Sequence, residues 1–508
     1  MSNNKIHKNK INECKESFDF FESAHIYDNS LNYTDGFCFF MIKDGLDKFL
    51  ILMSESANLN DSGFEGEIIE INSQPFLKCE LTHKNAEALR STFAFTNPVL
   101  IGKEDSYGLG DRLGNAGPAH LKAIWDSGFK PVLAQQSIRE LERTNRSAEE
   151  VLDAASWSVF QEGYTNGFGA DADHLKTTDD IDRMVKAGYT MFTIDPSEFV
   201  VNEAMNMDLD ELEVNYNKLP WSDLDAQPEV QRAHYSKTSS PLSNGSILNP
   251  SEEEVLTGMV KYGNVINHTK KLVDYLKEEY PDHPAEIELS VDETDQPTTP
   301  FEHYLIAAEM QRLGIDLVSL APRFCGDFEK GIDFKGDLEQ FREEYELHLA
   351  IAEKFGGYKL SIHSGSDKFS VYEVIGSLDS GAVHVKTAGT SYLEALRTIA
   401  EVSPDLFREI MKFSLTRFEE DKKTYHISAD VNQIPNPDEL EENQLVELLD
   451  DNHARQVLHV AYGSVLAGAA SKENKFKERL MKSLAEHEEI YEQNLEKHFI
   501  KHLKPFNQ

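Results

Sequence analysis

The sequence predicts an α/β fold centred on a (β/α)8 barrel of the TIM-like kind. Eight short apolar runs recur after Asn97, and most of them end in polar or charged residues. Segments with helical periodicity separate the runs, and apolar strands that alternate with helices are typical of a parallel sheet covered by helices. No GxGxxG spacing follows any run, which argues against an open dinucleotide-binding sheet.

The eight candidate strands are evenly spread along the chain except in one place. They are 98–105, 130–136, 169–176, 189–197, 286–294, 316–324, 358–367 and 383–390. A barrel unit needs only about 30 residues, yet residues 198–285 separate the fourth run from the fifth. We assign 198–250 to an insertion, placed as a lid over the face where the strands end, and 252–280 to the covering helix.

Three regions follow from this pattern. Residues 1–95 contain short apolar runs such as "FCFFMI" and are predicted to form an N-terminal α+β region. Residues 96–400 carry the barrel, and 401–508 form a helical extension that ends in a charged helix. The glycine-rich stretch "GLGDRLGNAG" fits no phosphate-binding spacing, so we expect a loop followed by a helix near Pro118.

Composition restricts the class of partner and the compartment. The 508 residues include 50 basic and 89 acidic side chains, a net charge of −39. Such a chain is poorly suited to nucleic acid or to an anionic membrane surface, because both reward lysine and arginine. We find neither a signal peptide nor an apolar stretch of the about 18 residues that can span a membrane. Four cysteines without paired spacing argue against a disulfide framework, so we expect a cytoplasmic protein.

Polar side chains gather at the ends of the predicted strands, which meet at one rim of a barrel. Histidines and carboxylates from different strand ends are the usual ligands of a divalent metal ion with an open position. We predict His174 and His363 as two metal ligands. Asp327 is the preferred third ligand, with His384 and Asp171 as alternatives.

The same rim carries candidate groups for proton transfer and for anion binding. Asp173, beside a predicted ligand, is the predicted base, and Glu293 is the second proton-transfer group. Lys176, Arg323 and Lys386 supply the local positive charge that an anionic substrate requires, and arginine can hold a carboxylate with two hydrogen bonds. Zinc, manganese, iron, cobalt and nickel all suit such a ligand set.

A group of motifs extends from Gly110 to Arg397. They are "GDRLG", "LAQQSIRE", "GADADHLKT", "FTIDPS", "LAPRF", "KGIDFKGD", "LSIHSGSDKFSVY" and "HVKTAGTSYLEALR". In these motifs the chain resembles the tagaturonate epimerase family of hexuronate catabolism. The resemblance implies a metal-dependent enzyme that interconverts D-tagaturonate and D-fructuronate, with a small hexuronate as its partner. A homo-oligomeric assembly stays open.

A second resemblance bears on mechanism. "DH" at 173–174 and "HSGS" at 363–366 resemble the base, ligand and glycine-rich loop of class II, metal-dependent aldolases. Those enzymes use three histidines, and because no histidine follows the sixth strand here, Asp327 is the substitute. The resemblance implies retro-aldol chemistry, with transient oxidation by bound NAD as the alternative route.

Two other functions are kept beside the epimerase. One is an aldolase of the class II type that acts on a sugar acid or a sugar phosphate and releases its fragments. The other is a catalytically silent protein that binds sugar acids, against which the presence of Asp173, His174, Glu293 and His363 counts.

Overall fold

An antiparallel sheet forms the N-terminal part of the protein. The computed structural model describes residues 11–54, 57–378, 381–467 and 475–507, so the predicted N-terminal region is seen from residue 11 onwards. The sheet order is β1–β2–β3–β5–β4. Its strands are His25–Thr34 (β1), Phe37–Asp44 (β2), Asp47–Met53 (β3), Glu67–Ile71 (β4) and Gln74–Glu80 (β5). Helix His83–Thr92 then leads towards the barrel.

Strand β2 shows why the run "FCFFMI" lacks polar alternation. On one face Phe39 packs in a cluster with Trp157 and Phe160 of a barrel helix. On the other face Phe40 packs against the 3-10 helix Ser17–Phe21. A strand that is covered on both faces needs apolar side chains at successive positions.

A disulfide joins Cys14 to Cys38, with their Cα atoms 5.8 Å apart. The expectation of a chain without disulfides is therefore wrong. The two cysteines are brought together because the N-terminal 3-10 helix packs on β2, and their spacing in the sequence carries no sign of that packing. Cys79 and Cys325 are buried free thiols, and burial raises the pKa of each to about 12.

Eight parallel strands close into a barrel, which confirms the predicted fold class. Their order around the barrel is β12–β13–β14–β15–β6–β7–β8–β9. They are Ser106–Leu109 (β6), Lys130–Ser137 (β7), Gly169–Leu175 (β8), Met191–Ile194 (β9), Glu286–Val291 (β12), Leu317–Pro322 (β13), Lys359–Ile362 (β14) and Val383–Thr387 (β15). Seven of the eight predicted runs overlap one of these strands.

The first predicted strand, 98–105, is wrong, because β6 begins just after it. Val99 and Leu100 of that run are exposed by 42% and 51%. The carboxylate of Glu286 accepts hydrogen bonds from the backbone of Ile101 and Gly102, at 3.1 and 2.8 Å. These contacts hold the run as a connection at the opposite end of the barrel from the strand ends, so its apolar residues do not mark a strand.

Helices cover the barrel, and several begin with the side-chain hydrogen bonds that their sequences predict. Capping boxes start helices at Ser137, Ser147, Thr177, Ser251 and Thr299. The covering helices are Gly117–Ile124, Ile138–Thr144, Ala148–Glu162, Thr178–Ala187, Glu252–Glu279, Pro300–Arg312, Leu338–Lys354, Phe369–Gly376 and Thr390–Val402. Pro118 lies in the first turn of its helix, as expected.

The insertion after the fourth barrel strand is largely helical. It contains the 3-10 helices Ser197–Phe199 and Asn202–Asn206, the helices Leu209–Asn217 and Pro228–Tyr235, and the short strand pair Ser240–Pro241 (β10) and Ile247–Leu248 (β11). Both helices pack on Glu252–Glu279, on the outer side of the barrel. The hydroxyl of Tyr235 donates a 2.5 Å hydrogen bond to Glu309 on the next covering helix.

The C-terminal extension is helical and returns to the barrel. Its helices are Pro404–Asp421, Glu442–Glu447, Asn452–Val460, Tyr462–Ala467, Phe476–Glu486 and Glu488–Leu503. The expected terminal helix is thus two helices, which meet at His487, and residues 472–474 of that expectation lie outside the described residues. The predicted limits at 95 and 400 stay predictions, and helix Thr390–Val402 crosses the second of them. No described helix is long and apolar enough to cross a lipid bilayer.

Candidate active site

A cavity of about 500 Å³ opens where the barrel strands end. It is lined by strand-end residues, by loops and by part of the C-terminal extension. Among the predicted site residues, those that line it are Asp173, His174, Glu293, Arg323, Asp327, His363 and Lys386. Residues 198–250 are all described, and none of them lines the cavity. Thr424, Tyr425 and His426 of the C-terminal extension line the cavity instead. The insertion therefore does not hold the position of a lid.

A local distortion of β8 brings two neighbouring residues into the cavity. Successive side chains of a strand point to opposite faces, but His174 adopts the left-handed conformation with φ of 59°. The pairing of β8 with β9 shifts between Ala172 and Leu175. As a result Asp173 and His174 both face the cavity, and Nδ1 of His174 donates a 2.7 Å hydrogen bond to Oδ1 of Asp173. No described residue forms a hydrogen bond with Nε2 of His174, so this nitrogen can take another partner.

His363 follows β14 and has a similar arrangement with the two nitrogens exchanged. Its Nε2 donates a 2.8 Å hydrogen bond to Oε1 of Glu288 inside the barrel. Its Nδ1 is buried and lies 3.1 Å from Oδ1 of Asp292 as an ion pair, without hydrogen-bond geometry to any described residue. Burial lowers the pKa of His363, but Asp292 outweighs it and raises the value to about 10.

His174, His363 and Asp292 form a group whose ligand atoms all lie within 4.8 Å of one another. Burial would raise the pKa of Asp292, but His363 holds it well below its usual range. Two imidazole nitrogens and a carboxylate oxygen suit a first-row divalent metal ion. Nδ1 of His363, which is buried and makes no aligned hydrogen bond within the described residues, fits this assignment. The carboxylates of Asp173 and Glu288 fit it too, because they orient the two imidazoles through their other nitrogens.

The structure does not bring the predicted third ligand to this group. Asp327 lies five residues after the end of β13, in a loop whose backbone pairs with Lys335. Its side chain is 49% exposed and belongs to a separate group with Glu329 and His426. Asp292, which directly follows the end of β12, lies beside the two histidines instead.

The two alternative third ligands are also placed elsewhere. His384 is buried within the barrel wall, where Nδ1 lies 2.9 Å from the hydroxyl of Ser106, and burial lowers its pKa to about 3. Asp171 is fully buried beneath the cavity and lies 2.7 Å from Lys386. Neither residue joins the group of His174, His363 and Asp292.

Lys386 is held by carboxylates from three directions. Its Nζ lies 2.7 Å from Asp171, 2.8 Å from Asp173 and 2.8 Å from Glu288. Burial would lower its pKa, but these carboxylates raise it well above the usual value. The ammonium group therefore neutralises the acidic floor of the cavity, and little of its charge is available to a substrate.

Of the three other predicted site residues, Lys176 lies outside the cavity wall, whereas Glu293 and Arg323 line the cavity. Lys176 does not line the cavity and turns towards Asp195 and Glu198, at 3.7 and 3.2 Å. Glu293 and Arg323 line it, and no described residue forms an ion pair or hydrogen bond with either side chain. Both are free to contact a bound molecule.

Comparison with known proteins places the whole chain in one family. The model of the tagaturonate epimerase family matches residues 27–506. The chain belongs to this family. Its relatives are named as epimerases, so it is an isomerase-type enzyme. The match includes most of the N-terminal sheet, which carries none of the motifs noted in the sequence.

Individual relatives agree with the family assignment along nearly the full length. The tagaturonate/fructuronate epimerase of Thermotoga maritima is 43% identical over 478 residues, which cover 94% of this chain and 96% of that protein. The native crystal structure of the fructuronate-tagaturonate epimerase from Cohnella laeviribosi superposes with a TM-score of 0.89 at 37% identity, covering 98% of this chain and 99% of that one. A complex of that protein with one glycerol gives 0.88 at 38% identity, with the same coverage.

Several residues of this epimerase-family site escaped the sequence analysis as functional groups. Glu288 and Asp292 are four residues apart in "EIELSVDET", so the alternation of side chains along a strand directs both into the barrel. A charged residue within an apolar strand was the feature of the sequence that indicated a functional role. Arg139, Tyr425 and His459 also line the cavity. The last two come from the C-terminal extension, and no local pattern in the sequence indicates that it folds back to this rim.

Proposed function

We propose that this chain is a metal-dependent epimerase that interconverts D-tagaturonate and D-fructuronate. The observation that carries the proposal is the group of His174, Asp292 and His363 at the rim of the barrel. The names of the relatives from Thermotoga maritima and Cohnella laeviribosi support the choice of substrates. A hexuronate fits easily in a cavity of about 500 Å³.

The three residues would hold a divalent ion through Nε2 of His174, Nδ1 of His363 and a carboxylate oxygen of Asp292. When bound, such an ion acts as a Lewis acid that stabilises negative charge on the oxygens next to the ketone carbon. Asp173 and Glu288 fix the ring orientation of the two histidines through their other nitrogens. Zinc, manganese, iron, cobalt and nickel remain the candidates.

We propose a retro-aldol route, because the inverted carbon is β to the ketone and its C–H bond is not acidified by enolisation. The hydroxyl on that carbon loses its proton, and the bond to the neighbouring carbon breaks. The bonding electron pair stays with the ketone fragment, and the other fragment becomes an aldehyde. The aldehyde turns over, the bond forms again, and the proton returns, so the reaction needs no oxidant or reductant.

Glu293 is better placed than Asp173 to move the hydroxyl proton. Asp173 accepts hydrogen bonds from His174 and Lys386 at 2.7 and 2.8 Å and from Gln135 at 3.1 Å. Burial would raise the pKa of Asp173, but His174 and Lys386 hold it well below its usual range. Glu293 lines the cavity without a described partner. We therefore propose that Glu293 exchanges the proton and that Asp173 orients His174.

Proton NMR of metal-loaded protein mixed with D-tagaturonate tests this function. We expect D-fructuronate to appear without three-carbon fragments, to stop appearing after chelation and to reappear with a divalent ion. Glu293→Gln should keep the bound metal but lose about 100-fold or more in rate, as is usual when an acid–base group is removed. Accumulating fragments would instead indicate an aldolase, and no conversion with any of the five metals would refute the proposal.

The cytoplasmic location and a homo-oligomeric state stay predictions from the sequence. Native mass spectrometry of the purified protein would measure its oligomeric state.

A further inference from the structure

The cavity contains several cations, and most of them already have partners. Arg112 is buried and forms a 2.8 Å ion pair with Glu140. Lys386 is surrounded by three carboxylates. Nζ of Lys330 donates a hydrogen bond to the hydroxyl of Ser364. Arg139 and Arg323 are the cavity-lining arginines that contact no carboxylate within the part of the chain that the structure describes.

Arg139 differs from Arg323 in two respects: its guanidinium group lies over the ring of Tyr425, and one of its buried hydrogen-bond donors makes no hydrogen bond to a described residue. Its Nε is buried and has no hydrogen-bond partner among the described residues. A buried donor without a partner costs free energy that a bound acceptor would recover. Its guanidinium group lies 5.4 Å from the ring centre of Tyr425. Arg143 donates a 2.6 Å hydrogen bond to the hydroxyl of Tyr425 and so fixes that ring.

The barrel order places the two arginines on opposite sides of the cavity. Arg139 follows β7 and Arg323 follows β13, and four positions separate these strands in the closed ring of eight. His363 and Asp292 follow β14 and β12, the two neighbours of β13. In a hexuronate the carboxylate lies four carbons from the ketone. When the ketone binds near His174, Asp292 and His363, a carboxylate four carbons away contacts another part of the cavity wall, where Arg139 offers a buried donor without a partner among the described residues.

We propose that Arg139 binds the carboxylate of the substrate and thereby selects hexuronates over neutral ketoses. The inference rests on the proposed function and adds a specificity residue to it. The planar guanidinium group can donate two parallel hydrogen bonds to the carboxylate, and Tyr425 keeps it in position. Tyr425 comes from the C-terminal extension, so that extension contributes to substrate choice as well as to the fold.

Binding of a matched pair of probes tests the inference without relying on turnover. D-gluconate and sorbitol differ only in a carboxylate that replaces a hydroxymethyl group. By calorimetry on metal-loaded protein, we expect the wild type to bind D-gluconate at least about tenfold more tightly, and Arg139→Met to abolish this preference. Lys176→Met, which removes a cation that does not line the cavity, should retain it. A preference that survives in Arg139→Met, or that is absent from the wild type, would overturn the inference.

Kinetics separate this inference from the proposed function. With D-tagaturonate, we expect Arg139→Met to lower kcat/KM by about 100-fold and Arg139→Lys to lower it less, because lysine keeps the charge without the paired donors. Far-ultraviolet circular dichroism checks that both variants fold. If the wild type interconverts the two uronates while Arg139→Met keeps its kcat/KM, this inference fails alone. If the wild type does not interconvert them, the proposed function fails.

Discussion

Single residues at the strand ends depend on small changes in backbone direction. His174 enters the cavity beside Asp173 because its backbone is left-handed, which a non-glycine residue adopts rarely. Asp292 rather than Asp327 reaches the two histidines because it follows its strand directly. Both histidines were predicted from the sequence as ligands. Which carboxylate completes the group was not, since loop direction decides it.

Substituting the two aspartates separates the predicted ligand from the observed one. We expect Asp292→Asn to weaken divalent-metal binding by tenfold or more, because an amide is a poorer ligand than a carboxylate and removes a charge from the group. Asp327→Asn, in an exposed loop, should change metal affinity by less than about twofold. Metal content after dialysis against graded chelator measures both. Equal losses, or a loss confined to Asp327→Asn, would refute the assignment of Asp292.

The insertion 198–250 was expected to cover the site, but the C-terminal extension contributes to the cavity wall in its place. The insertion 198–250 lies on the outer helices and contributes nothing to the cavity wall. The segment around Tyr425, in a region predicted only as helical extension, forms part of that wall. An insertion of this length is easy to recognise in a sequence, but the side of the barrel on which it packs depends on distant helices.

Removing one hydroxyl from the insertion and one from the C-terminal extension tests which of the two contributes to the substrate site. Tyr235→Phe loses the hydrogen bond to Glu309, which keeps Arg312 as its partner at 2.7 Å. We expect the free energy of unfolding to fall by about 2 kcal/mol with KM for D-tagaturonate unchanged. Tyr425→Phe loses the contact with Arg143 that orients the ring behind Arg139, so KM should rise. Denaturant titration and steady-state kinetics measure these effects. If the insertion were a lid, KM would rise in Tyr235→Phe and stay unchanged in Tyr425→Phe.

At the scale of the whole molecule, the C-terminal helix connects the barrel to the N-terminal sheet. Glu488 begins helix Glu488–Leu503 and lies 2.8 Å from Lys43 and 2.6 Å from Lys48, both in the sheet. The hydroxyl of Tyr27 also donates a 3.0 Å hydrogen bond to it. Burial would raise the pKa of Glu488, but the two lysines lower it to about 2. One carboxylate thus joins the two ends of the chain.

The lowered pKa predicts a pH-dependent contribution to stability. The carboxylate stabilises the fold above its unfolded pKa, near 4.3, and the contribution is lost as the pH falls towards 2. We expect Glu488→Gln to lower the free energy of unfolding by about 2 kcal/mol at pH 7. The deficit should shrink below about pH 4.3. Glu489→Gln, an exposed change of equal charge one residue away, should have little effect at either pH. A deficit that is constant between pH 7 and pH 3 would contradict this account.

The sequence by itself determined the α/β class, the barrel with its insertion and C-terminal helices, and the family, and it indicated two of the three residues in the candidate metal-binding group. These features leave local traces, because strand and helix periodicity and short motifs are written in neighbouring residues. Only the tertiary structure decided that Asp292 lies beside His174 and His363, that Lys386 is neutralised by Asp171, Asp173 and Glu288, and that Cys14 pairs with Cys38. The tertiary structure also decided that Tyr425, and no residue of the insertion 198–250, lines the cavity. These outcomes depend on contacts between residues far apart in the chain, whose directions follow from packing and are not encoded in any short stretch.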